Sequence, residues 1–331
     1  MKKIRLGFVR LCDAAPLVVA QALGSYAREK VRVELVPLAS WSEVRDRLIV
    51  DDVQAAHCLA GIPLAAQAGV FGPQARLATA FTLNHYGNAI TLATSLAGIL
   101  RSGKANFVDY VRNRRREGRP LALASVFPIS KHEYELRHWV ASLGLDPGTD
   151  MRLVVVPPPE TARAMRNGRI DGYCVGEPWN TRAIREGWGE AVSTSAASAL
   201  PGTEKVLAVR EEFLDTAEHA AILRALASAC EWLCDPSHVE PAIELLAPYV
   251  GRSLAELRPS FDASFRCDFV APARVPFVRF DRAVHRPDLA HGGWYLEQMR
   301  AAGQIESDAD VDGICARAFR ADVHDRHLID G

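Results

Sequence analysis

The chain has 331 residues, of which 49% are hydrophobic and 24% charged, and its formal net charge is −1. That length suits two domains of ~150 residues, each with its own core. The near-neutral balance gives no global argument for a nucleic-acid or membrane partner, and no run of ~18 apolar residues is present to cross a bilayer.

The chain starts Met1-Lys2-Lys3 and enters an apolar strand, Ile4–Val9, with no signal core or cleavage site in between. This start predicts a cytoplasmic protein. Asp13 is expected to cap a helix that begins at Ala14, with Pro16 in its first turn. A second strand, Arg32–Val36, leads to Pro37 and then to Ser40-Trp41-Ser42-Glu43. That spacing is a capping box and opens a helix to about Ile49. The strand Val53–Leu59 carries His57, which reads first as a hydrogen-bonded core residue and second as a minor ligand candidate. A helix at Leu64–Ala68 follows. The strands Leu77–Thr82 and Ala89–Leu92 bracket a polar, glycine-containing connection suited to a hinge or a ligand loop. Asn88 and Thr91 offer neutral donors there.

Arg112–Arg119, RNRRREGR, is a dense basic run without interleaved aromatics. A solvated helix end fits it better than an RNA-binding surface. After the strand Leu121–Val126, Ser130-Lys131-His132-Glu133 forms a second capping box. His132 is expected in the first-turn slot that Trp41 fills in its own helix. The strand Arg152–Val156, the helix Thr161–Asn167 and the strand Ile170–Val175 then lead to Gly176-Glu177-Pro178. Proline suits the first turn of a helix, whose free amides and dipole face whatever lies beyond the strand end. These β-α-β elements match the earlier ones at an offset of about 118 residues, the mark of a duplication. Lys205 stands at the start of the strand Val206–Val209.

Beyond Glu211 the pattern turns helical, over 211–233, Val239–Val250 and Leu254–Ser260. The last 70 or so residues are expected to wrap the first lobe, with helices at Trp294–Ala302 and Asp310–Arg320 and a loose charged tail, Asp322–Gly331. The seven cysteines fit no disulfide framework and read as core thiols of a reducing compartment. The pattern as a whole predicts two similar α/β lobes, residues 1–92 plus 206–331 and residues 93–205. Two capped helix tips, bearing Trp41 and His132, would hold a small anion.

The strings DAAPLVVA, ASWSEVRD, AAHCLAGIPLA, GNAITL, SVFPISKHEYELRHWVASLGLDP, VVVPPPE, IDGYCVGEPWNTRAI and TEKVLAVREE resemble the nitrate/nitrite/bicarbonate-binding family of ABC importers and its cytosolic relatives. The resemblance covers residues 1 to roughly 250 well and the rest more loosely. It implies an α/β fold of the periplasmic-binding-protein type (type II), with two doubly wound lobes and a ligand cleft between them. The ligand-binding positions it carries over are Trp41, Asn88, His132 and Lys205; Thr91, Asp13, Glu177 and His57 are weaker candidates. Lys205 resembles the nitrate-type members. One ammonium plus neutral N–H donors suits a planar, monovalent, weakly hydrated anion.

The start of the chain makes it look most similar to the NasS-type cytosolic nitrate/nitrite sensor. Such a sensor implies a partner, an RNA-binding antiterminator of the ANTAR type, that is released when the anion binds. The alternative is the substrate-binding component of a nitrate importer with its export signal removed. The same fold carries catalysis in thiamine-pyrimidine synthases, but no catalytic run, triad context or metal spacing is found here. The expectation is therefore no enzyme, cofactor or metal, and no direct nucleic-acid or membrane partner.

Overall fold

A computed structural model describes residues 3–271 and 276–329; Met1 and Lys2 at the start, and Asp330 and Gly331 of the expected tail, lie outside the described residues. The strands among them are β1 (Lys3–Val9), β2 (Arg32–Leu38), β3 (Ala55–Leu59), β4 (Leu77–Tyr86), β5 (Asn88–Ala93), β6 (Leu121–Ser125), β7 (Met151–Val155), β8 (Gly172–Gly176), β9 (Gly189–Thr194), β10 (Thr203–Arg210) and β11 (Val278–Arg279). They form a six-stranded sheet in the order β11-β4-β10-β3-β1-β2 and a five-stranded sheet in the order β7-β6-β8-β5-β9.

The two sheets share one plan. In the first, β1 pairs in parallel with β2 and β3, and β10 lies antiparallel on β3. In the second, β6 pairs in parallel with β7 and β8, and β5 lies antiparallel on β8. Parallel neighbours need a crossover, usually a helix. The helices Ala15–Ala22 and Trp41–Ile49 supply it in the first sheet, and Lys131–Ser142 and Thr161–Arg166 in the second. The offset seen in the sequence is thus a repeated strand order.

The chain divides into two compact units. Unit 1 is Met1–Tyr86, Pro201–Leu254 and Val278–Gly331; unit 2 is Gly87–Leu200 and Ala255–Phe277. These boundaries differ from the expected ones because sheet membership sets them. β5 hydrogen-bonds to β8 and β9, so residues 87–92 belong to unit 2. β10 hydrogen-bonds to β3 and β4, so residues 201–205, with Lys205, belong to unit 1. Of the C-terminal part expected around the first lobe, residues 255–277 belong to unit 2.

In unit 1 the helix Ala15–Ala22 buries Ala15 through Ala20, and Ala217–Leu233 buries Ile222, Leu223, Leu226 and Ala229. The charged tail is not loose. Ala321–Leu328 is a helix with Val323 buried, and His324 Nδ1 lies 3.0 Å from the carbonyl of Ala80. Buried Ala321 and Val323, the contact of His324 with β4 and the ion pairs Arg286–Asp325 and Arg326–Asp215 anchor the segment. In unit 2 the core gathers Leu92, Phe107, Leu123, Leu136, Val140 and Cys174. The basic run ends the helix Lys104–Arg116, as expected of a solvated helix end. Arg114 pairs with Asp171 at 2.7 Å and Arg115 with Asp150 at 3.2 Å. All seven cysteines are free; five are buried, Cys267 is partly buried and Cys234 is exposed, so the core-thiol reading holds for five.

Candidate functional site

In unit 1 the side chains gather where β1, β2 and β3 end and β10 begins. Asp13 does not cap the following helix. It sits in a short 3-10 turn, Cys12–Ala14, and the helix starts at Ala15 without a side-chain cap. The carboxylate turns instead toward the sheet. Its Oδ1 lies 2.9 Å from His57 Nε2, close enough for an ion pair but poorly aligned as a hydrogen bond. Its Oδ2 lies 2.9 Å from Lys205 Nζ.

Lys205 stands opposite Leu59, and Leu207 opposite His57. Paired residues, and residues two apart, share a face, so Lys205 and His57 point the same way toward Asp13. Lys205 Nζ also donates to Glu204 Oε1 at 2.7 Å. Neighbours on a regular strand point to opposite faces. Register shifts between β10 and β4 at Thr203/Lys205 and Lys205/Val206 break that alternation and let the two head groups meet.

The helix Trp41–Ile49 is capped by Ser40, whose Oγ accepts from the Glu43 N–H at 3.2 Å, while Glu43 Oε2 accepts from the Ala39 N–H at 2.7 Å. The cap fixes Trp41 at the first helical position, 1% exposed. Its ring centroid lies 5.4 Å from Lys205 Nζ and 5.4 Å from the His57 ring. The indole N–H is buried and has no hydrogen-bond partner among the described residues. Leaving such a donor unmatched costs about 1–3 kcal/mol, which makes it a donor suited to a ligand oxygen. Asn84, opposite Lys205 on β4, donates from Nδ2 to the Tyr86 carbonyl at 3.0 Å, and its buried Oδ1 has no partner.

Burial pushes the Asp13 carboxyl up, but Lys205 and His57 more than reverse this and hold it well below the usual carboxylate range. Burial pushes the Lys205 ammonium down, but Asp13 and Glu204 outweigh it and raise it. Each group keeps its partner charged.

In unit 2 the corresponding strand ends carry Asn88, His132 and Glu177. The Ser130 side chain caps the helix Lys131–Ser142 by accepting from the Glu133 N–H at 3.3 Å. His132 is fully buried. It does not occupy the slot of Trp41: it is the second residue after its cap, and Trp41 is the first. Its helix follows the first strand of its repeat, so its counterpart in unit 1 is the Asp13 turn and not the helix of Trp41. Lys131 is buried too, with Nζ 3.5 Å from Glu135 Oε1.

Asn88 opens β5 opposite Gly176, and its N–H donates to Ser195 Oγ at 3.2 Å. The Thr91 hydroxyl donates to Asn180 Oδ1 at 2.9 Å, and Asn180 Nδ2 donates to the Val175 carbonyl at 2.8 Å. Thr91 thereby ties β5 to the helix Trp179–Arg185. Pro178 is the N-cap of that helix and not its first residue. Glu177 Oε1 accepts from the Thr181 N–H at 3.2 Å. Burial drives the Glu177 carboxyl up to about 7 against the hydrogen bonds from Thr181 and Asn180.

The structure therefore brings Asp13, Trp41, His57 and Lys205 together in unit 1, and holds Asn88, Glu177 and His132 at the strand ends of unit 2, with Thr91 inside β5. Glu204, Asn84 and Lys131 are missing from the sequence-based set. A Glu-Lys pair opening an apolar strand was the available signal for Glu204; nothing local marks the other two.

The profile of the NMT1-like family matches residues 1–247. The nitrate import ATP-binding protein NrtC of Synechocystis sp. is 33% identical over 336 aligned positions, covering 98% of this chain and 50% of that protein. The nitrate/nitrite binding protein NrtA of Synechococcus elongatus is 26% identical over 341 positions, covering 98% of this chain and 76% of that protein. The chain spans about half the length of several curated relatives it matches, the bicarbonate transport ATP-binding protein CmpC of Synechocystis sp. among them. Among solved structures, the periplasmic nitrate-binding protein NrtA from Synechocystis PCC 6803 has a TM-score of 0.90 at 23% identity, covering 99% of this chain and 89% of that one. The alkanesulfonate-binding protein SsuA from Xanthomonas axonopodis has a TM-score of 0.69 at 14% identity, with 97% of each chain covered.

These neighbours bear out the α/β solute-binding fold, and the binding-protein relatives bear out a protein that is not an enzyme. The expected cytoplasmic location is overturned, because the solved NrtA relative matched over 99% of this chain is periplasmic. That expectation leaned on the start of the sequence, which passes from Met1 into a strand without a signal core, and the start of a given sequence does not fix a compartment.

Proposed function

Because the chain belongs to the NMT1-like family, we propose that it is the nitrate-binding component of an ABC-type import system. Lys205 and Trp41 of unit 1 and His132 and Asn88 of unit 2 contribute to anion binding. The observation that carries this reading is the buried Lys205 ammonium beside the unpartnered indole N–H of Trp41. A weakly hydrated, planar monovalent anion gains from a desolvated cation and from N–H donors, and it loses little hydration on entering.

The relatives support import over the sensor reading. NrtC is named a nitrate import protein and CmpC a bicarbonate transport protein, both ATP-binding, so the partner that follows from this reading is an ATP-binding transport component. Release of an antiterminator rested on the resemblance and on the cytoplasmic location, and it is not carried forward.

Calorimetric titration with nitrate, nitrite and hydrogen carbonate tests the reading. Nitrate is expected to bind the intact protein, and Lys205→Ala and His132→Ala are each expected to lose that binding with the thermal midpoint of His132→Ala preserved. Equal nitrate affinity in both variants and the wild type would reject the site.

A further inference from the structure

Unit 1 also has a cavity of about 580 Å³ that shares no residue with the strand-end cluster. It is lined by the helix Ala217–Leu233, the turn 281–286 and the helix Ala321–Leu328. The volume falls in the range of small-molecule sites, about 300–1,000 Å³. Ala227, Ala283 and Leu328 supply apolar walls. His285 and His324 also line it, and β4 fastens both: the His285 carbonyl accepts from the Thr82 N–H at 2.8 Å, and His324 Nδ1 lies 3.0 Å from the Ala80 carbonyl. Burial pushes the His285 imidazole down to about 4 and lowers His324 as well, so both rings are neutral near pH 7. A neutral ring that meets a carbonyl through Nδ1 carries its hydrogen there, which leaves His324 Nε2 as an acceptor.

Four charged side chains line the same cavity. Two are spoken for: Asp281 pairs with Arg279, and Arg286 pairs with Asp325. The other two, Glu231 and Arg282, are exposed, and no ion pair joins either of them to the other or to any group among the described residues. Opposite charges that line one cavity without meeting are the complement of a zwitterion. We propose that this cavity binds a free α-amino acid with an apolar side chain. Its carboxylate takes the Arg282 guanidinium, whose planar fork matches a carboxylate in two hydrogen bonds. Its ammonium takes the Glu231 carboxylate and the acceptor nitrogen of His324. Its side chain lies against Ala227, Ala283 and Leu328. An amine or a carboxylate alone would compensate only one of the two protein charges. The site uses none of the residues assigned to the anion, so it stands apart from that reading.

The test is calorimetric titration of the whole protein with leucine and phenylalanine, and with two truncated forms of leucine: isocaproate, which lacks the amine, and isoamylamine, which lacks the carboxylate. Leucine or phenylalanine is expected to bind saturably, and each truncated form at least about tenfold more weakly than leucine, the size of one charge-assisted hydrogen bond. Arg282→Ala and Glu231→Ala should each weaken amino-acid binding about tenfold and leave the thermal midpoint of the unliganded protein unchanged. No binding of either amino acid at millimolar concentration would overturn the proposal. Isocaproate or isoamylamine binding as tightly as leucine would overturn it too, since the cavity would then read a single charge. Amino-acid affinity unchanged in both variants would put the binding elsewhere and overturn the assignment to this cavity. The comparison of leucine with its truncated forms needs only the wild-type protein, so it decides the matter even if a variant fails to fold.

Discussion

Lys205 Nζ and Asp13 Oδ2 lie 2.9 Å apart, with both side chains almost wholly withdrawn from solvent. The strand that brings Lys205 there follows the second β-α-β repeat, yet it hydrogen-bonds to β3 of the first sheet. The pair therefore joins the start of the chain to a strand that arrives two repeats later. Breaking one partner of a buried ion pair leaves the other charge uncompensated, which costs about 3–5 kcal/mol.

Asp13→Asn should lower unfolding free energy by less than that amount, because Lys205 keeps Glu204 as a counter-charge while His57 loses its carboxylate. The pH dependence follows from the depressed folded value of Asp13. The unfolded chain binds more protons on acidification, so the Asp13 contribution is present above its ordinary range near pH 4 and is lost as pH falls below it. Urea titrations of wild type and variant between pH 3 and pH 7 should show a gap that narrows at the acid end without closing, because the folded carboxyl titrates well below that range. A constant gap over that range would contradict the assignment.

Trp41→Phe keeps an aromatic ring beside Lys205 and removes the buried N–H. If that donor serves the ligand, nitrate affinity should fall about tenfold, the size of one charge-assisted hydrogen bond. The melting temperature should change little or rise, since an unmatched buried donor is gone. An unchanged dissociation constant would remove Trp41 from the binding set.

Glu177→Gln should stabilise the protein at alkaline pH. The folded carboxyl titrates at about 7, above its ordinary value of 4.5. Between those values the folded state holds a proton that the unfolded state has lost. Wild-type stability therefore falls as pH rises from about 4.5 to about 7 and levels off above, by on the order of 3 kcal/mol from this group. The variant, neutral throughout, should match wild type near pH 4.5 and exceed it at pH 8. Chemical unfolding at the two pH values gives the comparison, and an equal or larger deficit at pH 8 would refute it.

Gly172→Ala should be destabilising by about 1–3 kcal/mol through overpacking. Gly172 pairs with Leu92 across β5 and β8. An added Cβ would lie 2.6 Å from Leu92 Cδ2 and 2.7 Å from the Thr91 carbonyl oxygen. The side chain can rotate away, but the carbonyl belongs to the sheet backbone. A melting temperature equal to wild type would mean that the β5–β8 register differs from the one described.

Elements written within a few residues were legible in the sequence. Ser40 and Ser130 do cap their helices. The apolar runs around Leu6, Ala56, Leu123 and Tyr173 are the buried strands, and the offset of the repeat became a shared strand order. Capping and periodicity depend on near neighbours, so a linear reading reaches them. Asp13 shows the limit: its position at a strand end suggests a cap, and only the folded chain turns it to His57 and Lys205. The pairing of His132 with Trp41 failed for the same reason. Their capping boxes look alike locally, but the strands before them hold different places in the two sheets. The Glu-Lys pair that opens β10 marked Glu204 in the sequence, but its meeting with Lys205 follows the irregular register between β10 and β4. Which strand lies beside which is decided by packing between distant segments, and that adjacency set the charge balance around Lys205.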